Sequence, residues 1–292
     1  MCVLVSVLLL GPVRHGFLPT LTFSAPSKAR AEKKATPRRI KPFLQLSQNS
    51  PVNGVVFSSD GKFVAMGDGK SLGSWDIATG KSRWTADLKE SDLNALAVSP
   101  DGKLLACGEG RAIKLRKSAS GEIEKSLVGH FGEVRSLAFS PEGSLLASGS
   151  EDRSVMLWEV QTGHLRWRFG GFEEAVESVA FSMDGRTLMT GYGGGFTATP
   201  GRPLEVYGLV KLWSIQSRRV KRTLEGANVV SFSPEGNSAA TGDALGQVRL
   251  WDTRAWSCQR VLKGQGHWVS SLSFSPNGKM LAAGYCNDGI GE

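Results

Sequence analysis

Four residues in the middle of the chain have the side-chain types of a hydrolytic site. His130, Ser148 and Asp152 supply an imidazole, a hydroxyl and a carboxylate, and Trp158 adds an aromatic ring. Such a set could perform nucleophilic catalysis if the serine were exposed on a strained turn. Nothing around Ser148, or around Ser150 as its alternative, indicates such a turn. We therefore favour a structural role for these residues.

Two other kinds of site have little support in the sequence. The glycine-rich stretch 191–195 is not followed by the Gly-Lys-Ser/Thr of a phosphate-binding loop, and we interpret it as a loop. No histidine lies within ligand spacing of a cysteine or of another histidine, for any of His15, His130, His164 and His267. We expect no metal, no cofactor and no small-molecule substrate.

The stretch 137–160 holds Ser148, Asp152 and Trp158. It contains three short apolar runs separated by turn residues, a pattern typical of successive antiparallel strands. Pro141-Glu142-Gly143 predicts the first turn, because glycine adopts a positive φ without strain. Glu151-Asp152-Arg153 predicts the second turn. There the aspartate carboxylate can accept a hydrogen bond from the backbone N–H two residues on.

Versions of this stretch recur along the rest of the chain. The turn glycines are separated by 41, 41, 42, 51 and 42 residues, and they are Gly61, Gly102, Gly143, Gly185, Gly236 and Gly278. A tryptophan follows four of them, after 14 or 15 residues in three repeats and after 28 in the other: Trp75-Asp76, Trp158-Glu159, Trp213-Ser214 and Trp251-Asp252. A period of this length is typical of β-propeller blades.

Over residues 43–292, the period, the Gly-His pair at 129–130 and the Trp-Asp pairs resemble the WD40-repeat family. The resemblance implies an all-β propeller of four-stranded antiparallel blades, five complete and a sixth partial. Repeats are expected near 52–86, 93–128, 134–169, 176–224, 228–262 and, in part, 268–292. The resemblance also implies that four residues form a hydrogen-bonded tetrad inside the third blade, namely His130, Ser148, Asp152 and Trp158.

Three segments precede the first repeat. Residues 1–27 begin with an apolar run that is too short to span a bilayer and that resembles the core of a signal peptide, although no basic residue precedes it. Export, a non-cleaved anchor and a misassigned start codon all stay open, so the location is either cytoplasmic or exported. The basic composition of residues 28–42 predicts an unstructured linker. The apolar residues of Phe43–Leu46 predict a strand; in the family, a strand at this place commonly completes the last blade.

The end of the sequence leaves the sixth repeat incomplete. By register, residues 289–292 should precede a third strand for that blade, and the sequence stops there. We expect a chain truncated from a closed six- or seven-bladed ring, the alternative being an open six-bladed one.

The distribution of charge along the chain restricts the class of partner that the propeller can bind. The formal net charge is +8, but residues 1–42 carry +7 of it, so the repeats carry only +1. This distribution argues against a nucleic-acid-binding face on the propeller.

The spacing of the cysteines argues against a disulfide framework. The four cysteines show no paired spacing; they are Cys2, Cys107, Cys258 and Cys286.

One propeller face gathers the residues that vary between repeats. In a four-stranded meander, the second-to-third turns and the links between blades lie on the same face. Exposed aromatic and arginine side chains are typical of interface hot spots. The residues expected there are Phe131, Arg135, Glu151, Phe172, Glu173, Tyr192, Phe196, Arg202, Tyr207 and Trp268. The alternative is that several of these aromatics pack on the blade rim.

The sequence therefore predicts a noncatalytic scaffold that binds other proteins or peptides through one face. One alternative is an exported propeller enzyme, or a ligand-binding propeller, with a site in the central channel. That alternative needs polar residues at the channel ends of the first strands, which we interpret as apolar from their pattern V-x-x-V/L-x-F. Another is the repeat module of a larger protein.

Overall fold

The computed structural model describes residues 4–9, 52–88, 91–197, 205–264 and 267–286. Strand β1 (Leu4–Leu9) comes first. Blade one contains β2 (Val52–Phe57), β3 (Phe63–Asp68), β4 (Ser71–Asp76) and β5 (Ser82–Asp87). Blade two contains β6 (Leu93–Val98), β7 (Leu104–Glu109), β8 (Ala112–Lys117) and β9 (Ile123–Val128). Blade three contains β10 (Val134–Phe139), β11 (Leu145–Ser150), β12 (Val155–Glu159) and β13 (Leu165–Phe169).

Blade four contains β14 (Val176–Phe181), β15 (Thr187–Thr197), β16 (Glu205–Ser214) and β17 (Val220–Glu225). Blade five contains β18 (Val229–Phe232), β19 (Ser238–Gly242), β20 (Gln247–Asp252) and β21 (Cys258–Lys263). Blade six contributes β22 (Trp268–Phe274) and β23 (Met280–Cys286). Each blade is one antiparallel sheet in sequence order, which confirms the expected propeller with five complete blades and a partial sixth.

The hydrophobic core is divided among the junctions between neighbouring blades. The first strands of successive blades contact each other from β2 to β22, so they surround the centre of the molecule. One apolar cluster lies at each junction, and Trp158, Trp213 and Trp251 each pack toward the preceding blade. The blades are therefore held side by side by burial of apolar surface rather than by shared strands.

The turn between the first and second strands is built in the same way in all six blades. The serine directly after the first strand accepts a hydrogen bond, at 2.9–3.1 Å, from the backbone N–H five residues later. The turn glycine has φ between 65° and 75°, as predicted for Gly143. The predicted second turn of blade three is also confirmed, since Ser154 N–H donates to Asp152 Oδ1 at 3.0 Å. Local turn chemistry thus explains why every copy keeps the sequence S-x-x-G at this turn.

The extra residues of blade four extend its central hairpin. Strands β15 and β16 pair continuously from Thr187 with Ser214 to Thr197 with Glu205, apart from a bulge between Gly193 and Gly195. The prediction of a loop over 191–195 is therefore wrong. The hairpin satisfies its own backbone hydrogen bonds, so the two strands can lengthen together without disturbing the blade.

Strand β1, from the beginning of the chain, takes the place of a third strand in the sheet of blade six. β1 pairs antiparallel with β23, from Leu4 opposite Tyr285 to Leu9 opposite Met280. The apolar run that resembles a signal peptide thus forms a strand in this structure. Export of the protein by means of this run stays a prediction. The expected closing strand Phe43–Leu46 lies outside the described residues.

Candidate functional site

The structure brings His130, Ser148, Asp152 and Trp158 together inside blade three. The imidazole Nε2 lies 2.7 Å from Ser148 Oγ, and Nδ1 lies 2.9 Å from Asp152 Oδ2. Trp158 Nε1 donates to the same Ser148 Oγ at 2.9 Å. The Asp152 carboxylate can only accept a hydrogen bond, so the imidazole proton lies on Nδ1. In the neutral ring Nε2 then accepts a hydrogen bond from the Ser148 hydroxyl.

Burial determines what this group can do. Burial lowers the pKa of His130, although the hydrogen bond and charge of Asp152 act in the opposite direction. Burial by itself would raise the pKa of Asp152, but hydrogen bonds from Ser154, Phe131 N–H and His130 lower it overall. Ser148 has no exposed surface. The group therefore ties strands β11 and β12 to the link before the blade, and its hydroxyl is not accessible to a substrate.

Other blades keep part of this network. Trp213 Nε1 donates to Thr190 Oγ1 in blade four, and Trp251 Nε1 donates to Thr241 Oγ1 in blade five, both at 3.0 Å. In blade one the ring of Trp75 lies over Gly73, where a Cβ would come within 2.4 Å of the indole. The repeat tryptophans thus share a packing position while their polar partners differ.

Blade two contains a buried ion pair at the corresponding place. Arg116 occupies the tryptophan position, and its Nη2 lies 2.8 Å from Glu109 Oε1; the side chains are 8% and 9% exposed. Arg116 Nη1 also donates to the carbonyl of Gly121 at 3.0 Å. Cys107 occupies the serine position, and burial raises the pKa of its thiol, so the thiol stays protonated and unreactive.

The aspartates that follow the repeat tryptophans close the turn between the third and fourth strands. Asp76 Oδ1 accepts hydrogen bonds from Thr79 N–H and Oγ1 at 2.8 Å and 2.7 Å. Asp252 Oδ1 accepts from the N–H groups of Arg254 and Ala255 at 2.9 Å and 2.7 Å. These carboxylates therefore have a structural use in the turn.

Several of the residues expected on the interaction face form one cluster beside the tetrad. Phe131 is 74% exposed, and its backbone N–H donates to Asp152 Oδ2 at 3.0 Å. The guanidinium of Arg168 lies 5.6 Å from the Phe131 ring centroid. Arg135 forms an ion pair with Glu151, and its Nη2 lies 3.6 Å from Glu133 Oε2. We call Phe131, Glu133, Arg135, Glu151 and Arg168 the blade-three face cluster.

Two of the expected aromatic contacts are buried. Phe172 is 5% and Tyr192 is 4% exposed, with ring centroids 5.0 Å apart, and the Phe172 ring also lies 5.8 Å from that of Trp213. Lys211 Nζ lies about 5 Å above both rings. The expectation of exposed aromatics is therefore wrong for these two residues, which fill the junction between blades three and four.

The remaining expected face residues are more scattered. Glu173 is exposed beside Phe172, and Trp268 is half-buried at the start of β22. Phe196 and Tyr207 lie in the paired strands β15 and β16, opposite Val206 and Gly195 respectively. Arg202 lies outside the described residues.

The first strands of five blades contain a bulge that was not predicted from the sequence. In five blades one residue near the start of the strand is skipped in the pairing with the second strand, namely Asn53, Asn94, Arg135, Glu177 and Ser270. Bulges redirect side chains and often lie beside functional sites. The expectation of apolar residues throughout the inner ends of these strands is wrong at these positions. The signal was present, since the residue after the first Val or Leu is polar in each copy.

The bulged side chains connect neighbouring blades. Asn53 Nδ2 donates to the carbonyl of Leu93 in the next blade at 3.0 Å, and Asn94 Nδ2 donates to Glu133 Oε2 at 3.1 Å. Glu177 is half-buried. Burial raises the pKa of Glu177, and the negative charge of Glu151 also raises it, whereas the positive charge of Arg135 lowers it. The bulges thus add polar groups to the face that carries the blade-three face cluster.

Within the described ranges, no group of three or more histidine, cysteine, aspartate or glutamate residues could hold a metal ion. Cys107, Cys258 and Cys286 are free thiols. No helix in this part of the chain is long and apolar enough to cross a membrane.

The repeats match the family model described as WD domain, G-beta repeat, at residues 41–76, 81–116, 121–159, 219–252 and 256–290. The chain belongs to the WD40 family. In the second to fourth matches, the repeat begins at the fourth strand of one blade and ends with the third strand of the next. A WD40 repeat therefore spans parts of two blades. The first three strands of blade four, with the extended hairpin, lie outside the matched ranges.

Curated relatives resemble about half of this WD40 chain. WD repeat-containing protein SL1-17 of Schistosoma mansoni is 34% identical over 47% of the chain and 42% of its own length. Guanine nucleotide-binding protein subunit beta-1 of Nicotiana tabacum is 31% identical over 48% and 38%, and Autophagy-related protein 16 of Arabidopsis thaliana is 29% identical over 47% and 26%. The chain thus spans less than half the length of these relatives.

Proposed function

We propose that this chain is a noncatalytic scaffold that binds another protein through the face that carries the blade-three face cluster. The observation that supports the proposal is Phe131, a large aromatic side chain that is 74% exposed while its backbone N–H is held by the buried Asp152. A side chain presented from a fixed backbone loses little conformational freedom when a partner covers it.

The charges around Phe131 favour a polar rim around an aromatic anchor. Arg135 carries ion pairs to Glu133 and Glu151, and its side chain is 38% exposed. Exposed charges of this kind contribute more to specificity and association rate than to affinity. Membership of the WD40 family and the resemblance to a guanine nucleotide-binding protein subunit and an autophagy-related protein support protein partners in general.

A noncatalytic role is part of the proposal. Among the residues that the structure describes, the one group with the residue types of a catalytic triad lies in blade three. Its serine is fully buried. We propose protein partners rather than nucleic acid, because most of the formal positive charge belongs to residues 1–42.

Quantitative affinity purification of the tagged chain from its native host tests the proposal. The face variant is Phe131→Ala with Arg135→Glu. The matched control is Phe57→Ala, because Phe57 is 63% exposed at the opposite end of a first strand. We expect the recovered amount of a specific co-purifying protein to fall at least tenfold with the face variant and to stay unchanged with the control. Recovery of the same proteins by the face variant and the wild type would contradict the proposal.

A further inference from the structure

The outer edge of blades three to five carries an excess of positive charge. In each complete blade the fourth strand lies at one edge of the sheet, and the turn before it joins it to the third strand. In blades three to five this turn and strand cover residues 160–169, 215–225 and 253–263, which contain nine cations and one carboxylate, Glu225. We call the nine cations the cationic rim: Arg166, Arg168, Arg218, Arg219, Lys221, Arg222, Arg254, Arg260 and Lys263.

The same segments of blades one and two are balanced in charge. Residues 77–87 and 118–128 together contain three cations and three carboxylates. In blade two, Lys117 Nζ lies 2.8 Å from Glu122 Oε2, and Lys125 Nζ lies 2.7 Å from Glu124 Oε1. Charges on outer strands prevent edge-to-edge pairing of sheets, and the mixed charges of blade two are sufficient for that use. The single sign of charge in blades three to five therefore has another cause.

Carboxylates at the borders of the cationic rim do not neutralise it. Within the described part of the chain, only one rim cation forms an ion pair, since Arg168 Nη2 lies 3.7 Å from Asp152 Oδ2. The carboxylates beside these segments are Asp152, Glu159, Asp184, Glu235 and Asp252. Counted with Glu225, six carboxylates face nine cations, which leaves a surplus of three positive charges. Because residues 43–292 carry only +1 in all, the surplus is specific to this edge.

Contacts between the blades join the cationic rim into one surface and hold several of its guanidinium groups. Those of Arg166 and Arg218 lie 4.6 Å and 4.5 Å from the ring centroid of Trp167, so they connect blades three and four. Arg222 Nη1 donates to the carbonyl of Ala255 at 3.2 Å, which connects blades four and five. A guanidinium that is already held loses less conformational freedom when it binds an anion.

The surroundings of these cations favour a protein segment over a nucleic acid or a membrane. Single-stranded nucleic acids stack their bases on free aromatic rings, whereas guanidinium groups cover the ring of Trp167. Proteins that bind membrane surfaces insert apolar side chains from an amphipathic helix. Here the exposed apolar side chains lie within strands: Leu165, Val220 and Val261 are 44%, 41% and 49% exposed. Aliphatic side chains between cations are complementary to a segment in which acidic and apolar residues alternate.

We propose that the cationic rim binds an extended acidic segment of a partner protein, whose carboxylates pair with the rim arginines and whose apolar residues cover Leu165, Val220 and Val261. Seven of the nine rim cations are arginines, and the forked donors of arginine match the two oxygens of a carboxylate. Complementary charge also favours rapid and specific association. The proposal does not rest on the function proposed for the blade-three face cluster, and its test leaves that cluster unchanged.

Fluorescence polarisation with the full chain, at about 50 mM salt to limit the screening of exposed charges, tests this inference. The probe is a fluorescein-labelled mixture of dodecapeptides in which aspartate or glutamate alternates with leucine, valine or phenylalanine. The comparison mixture has asparagine and glutamine instead of the acids, and we expect it to bind at least tenfold more weakly. The rim variant is Arg219→Glu with Arg254→Glu, because both side chains are exposed and neither forms an ion pair within the described ranges. We expect this variant to raise the Kd for the acidic mixture at least tenfold.

The matched control is Lys81→Glu with Arg111→Glu, which reverses two exposed charges outside the cationic rim and gives the same net charge. It should change the Kd less than twofold. Residues 1–42 carry +7 and are the same in every variant, so differences between variants report on the rim. Arg219→Gln with Arg254→Gln adds no negative charge and should still raise the Kd at least threefold.

Three results would overturn the proposal. The first is equal binding of the acidic and amide mixtures by the wild type. The second is an acidic preference that survives in the rim variant or falls equally in the control. The third is tighter binding of a short DNA duplex, or of phosphatidylserine vesicles, than of the acidic mixture, which would assign the rim to a nucleic acid or to a membrane.

Discussion

Blades two and three solve the same packing problem with different chemistry. Both place a second strand against a third strand in the same register, and both fill the space toward the preceding blade. Blade three uses neutral and charge-assisted hydrogen bonds among His130, Ser148, Asp152 and Trp158. Blade two uses the ion pair of Arg116 and Glu109 beside the thiol of Cys107.

The difference indicates that this position accepts different buried polar networks. In each of these two networks the donors have acceptors within 3.2 Å. A buried group without a partner costs about 1–3 kcal/mol, and more when it is charged. The two blades should therefore respond differently when one member of each network is removed.

The largest effect is expected at Trp158, which is 2% exposed. Trp158→Ala should lower the free energy of unfolding by about 3–5 kcal/mol, because it removes a large core side chain and leaves a cavity. Urea unfolding followed by circular dichroism measures the change. Trp158→Phe keeps most of the volume and loses the indole donor, so it should cost about 1–2 kcal/mol. A midpoint for Trp158→Ala equal to that of the wild type would refute the core assignment.

The ion pair of blade two provides the next comparison. Glu109→Leu should cost about 3 kcal/mol because Arg116 is left charged and buried. The double variant Glu109→Leu with Arg116→Met should recover most of that loss, since it removes both charges together. A double-mutant cycle from urea unfolding measures the coupling. If the double variant were as unstable as the sum of both single variants, the pair would not be coupled as its geometry requires.

The serine and cysteine at the equivalent position give a smaller effect. Ser148→Ala should cost about 2 kcal/mol, because both the Trp158 indole and the His130 imidazole lose their partner. Cys107→Ala is the matched control and should cost about 1 kcal/mol or less, since its sulfur makes only a 4.0 Å contact with the carbonyl of Leu105. Thermal unfolding of both variants measures the difference. Equal losses would show that the hydroxyl adds nothing beyond its volume.

The smallest effect is a pH dependence. Burial lowers the pKa of His130 below its usual value of about 6.5, so the unfolded chain binds this proton more readily than the folded one. This contribution to stability is complete above about pH 6.5 and is lost as the pH falls through the folded pKa. We expect the wild type to lose stability at up to ~1.4 kcal/mol per pH unit in that range, relative to His130→Gln. Parallel pH profiles of the two proteins would contradict this assignment.

The elements that depend on short-range chemistry could be predicted from the sequence. The S-x-x-G turns could be predicted because each serine satisfies backbone groups only a few residues away. The period of these turns gave the blade order. It also indicated where His130, Ser148, Asp152 and Trp158 would meet, because their spacing follows the strand register.

Features that depend on contacts between neighbouring blades could not be predicted from the sequence. Phe172 and Tyr192 are buried because blade three and blade four close over them, which no local pattern reveals. The bulge at Arg135 and its equivalents depends on pairing with a second strand. The addition of Leu4–Leu9 to blade six joins residues more than 270 positions apart.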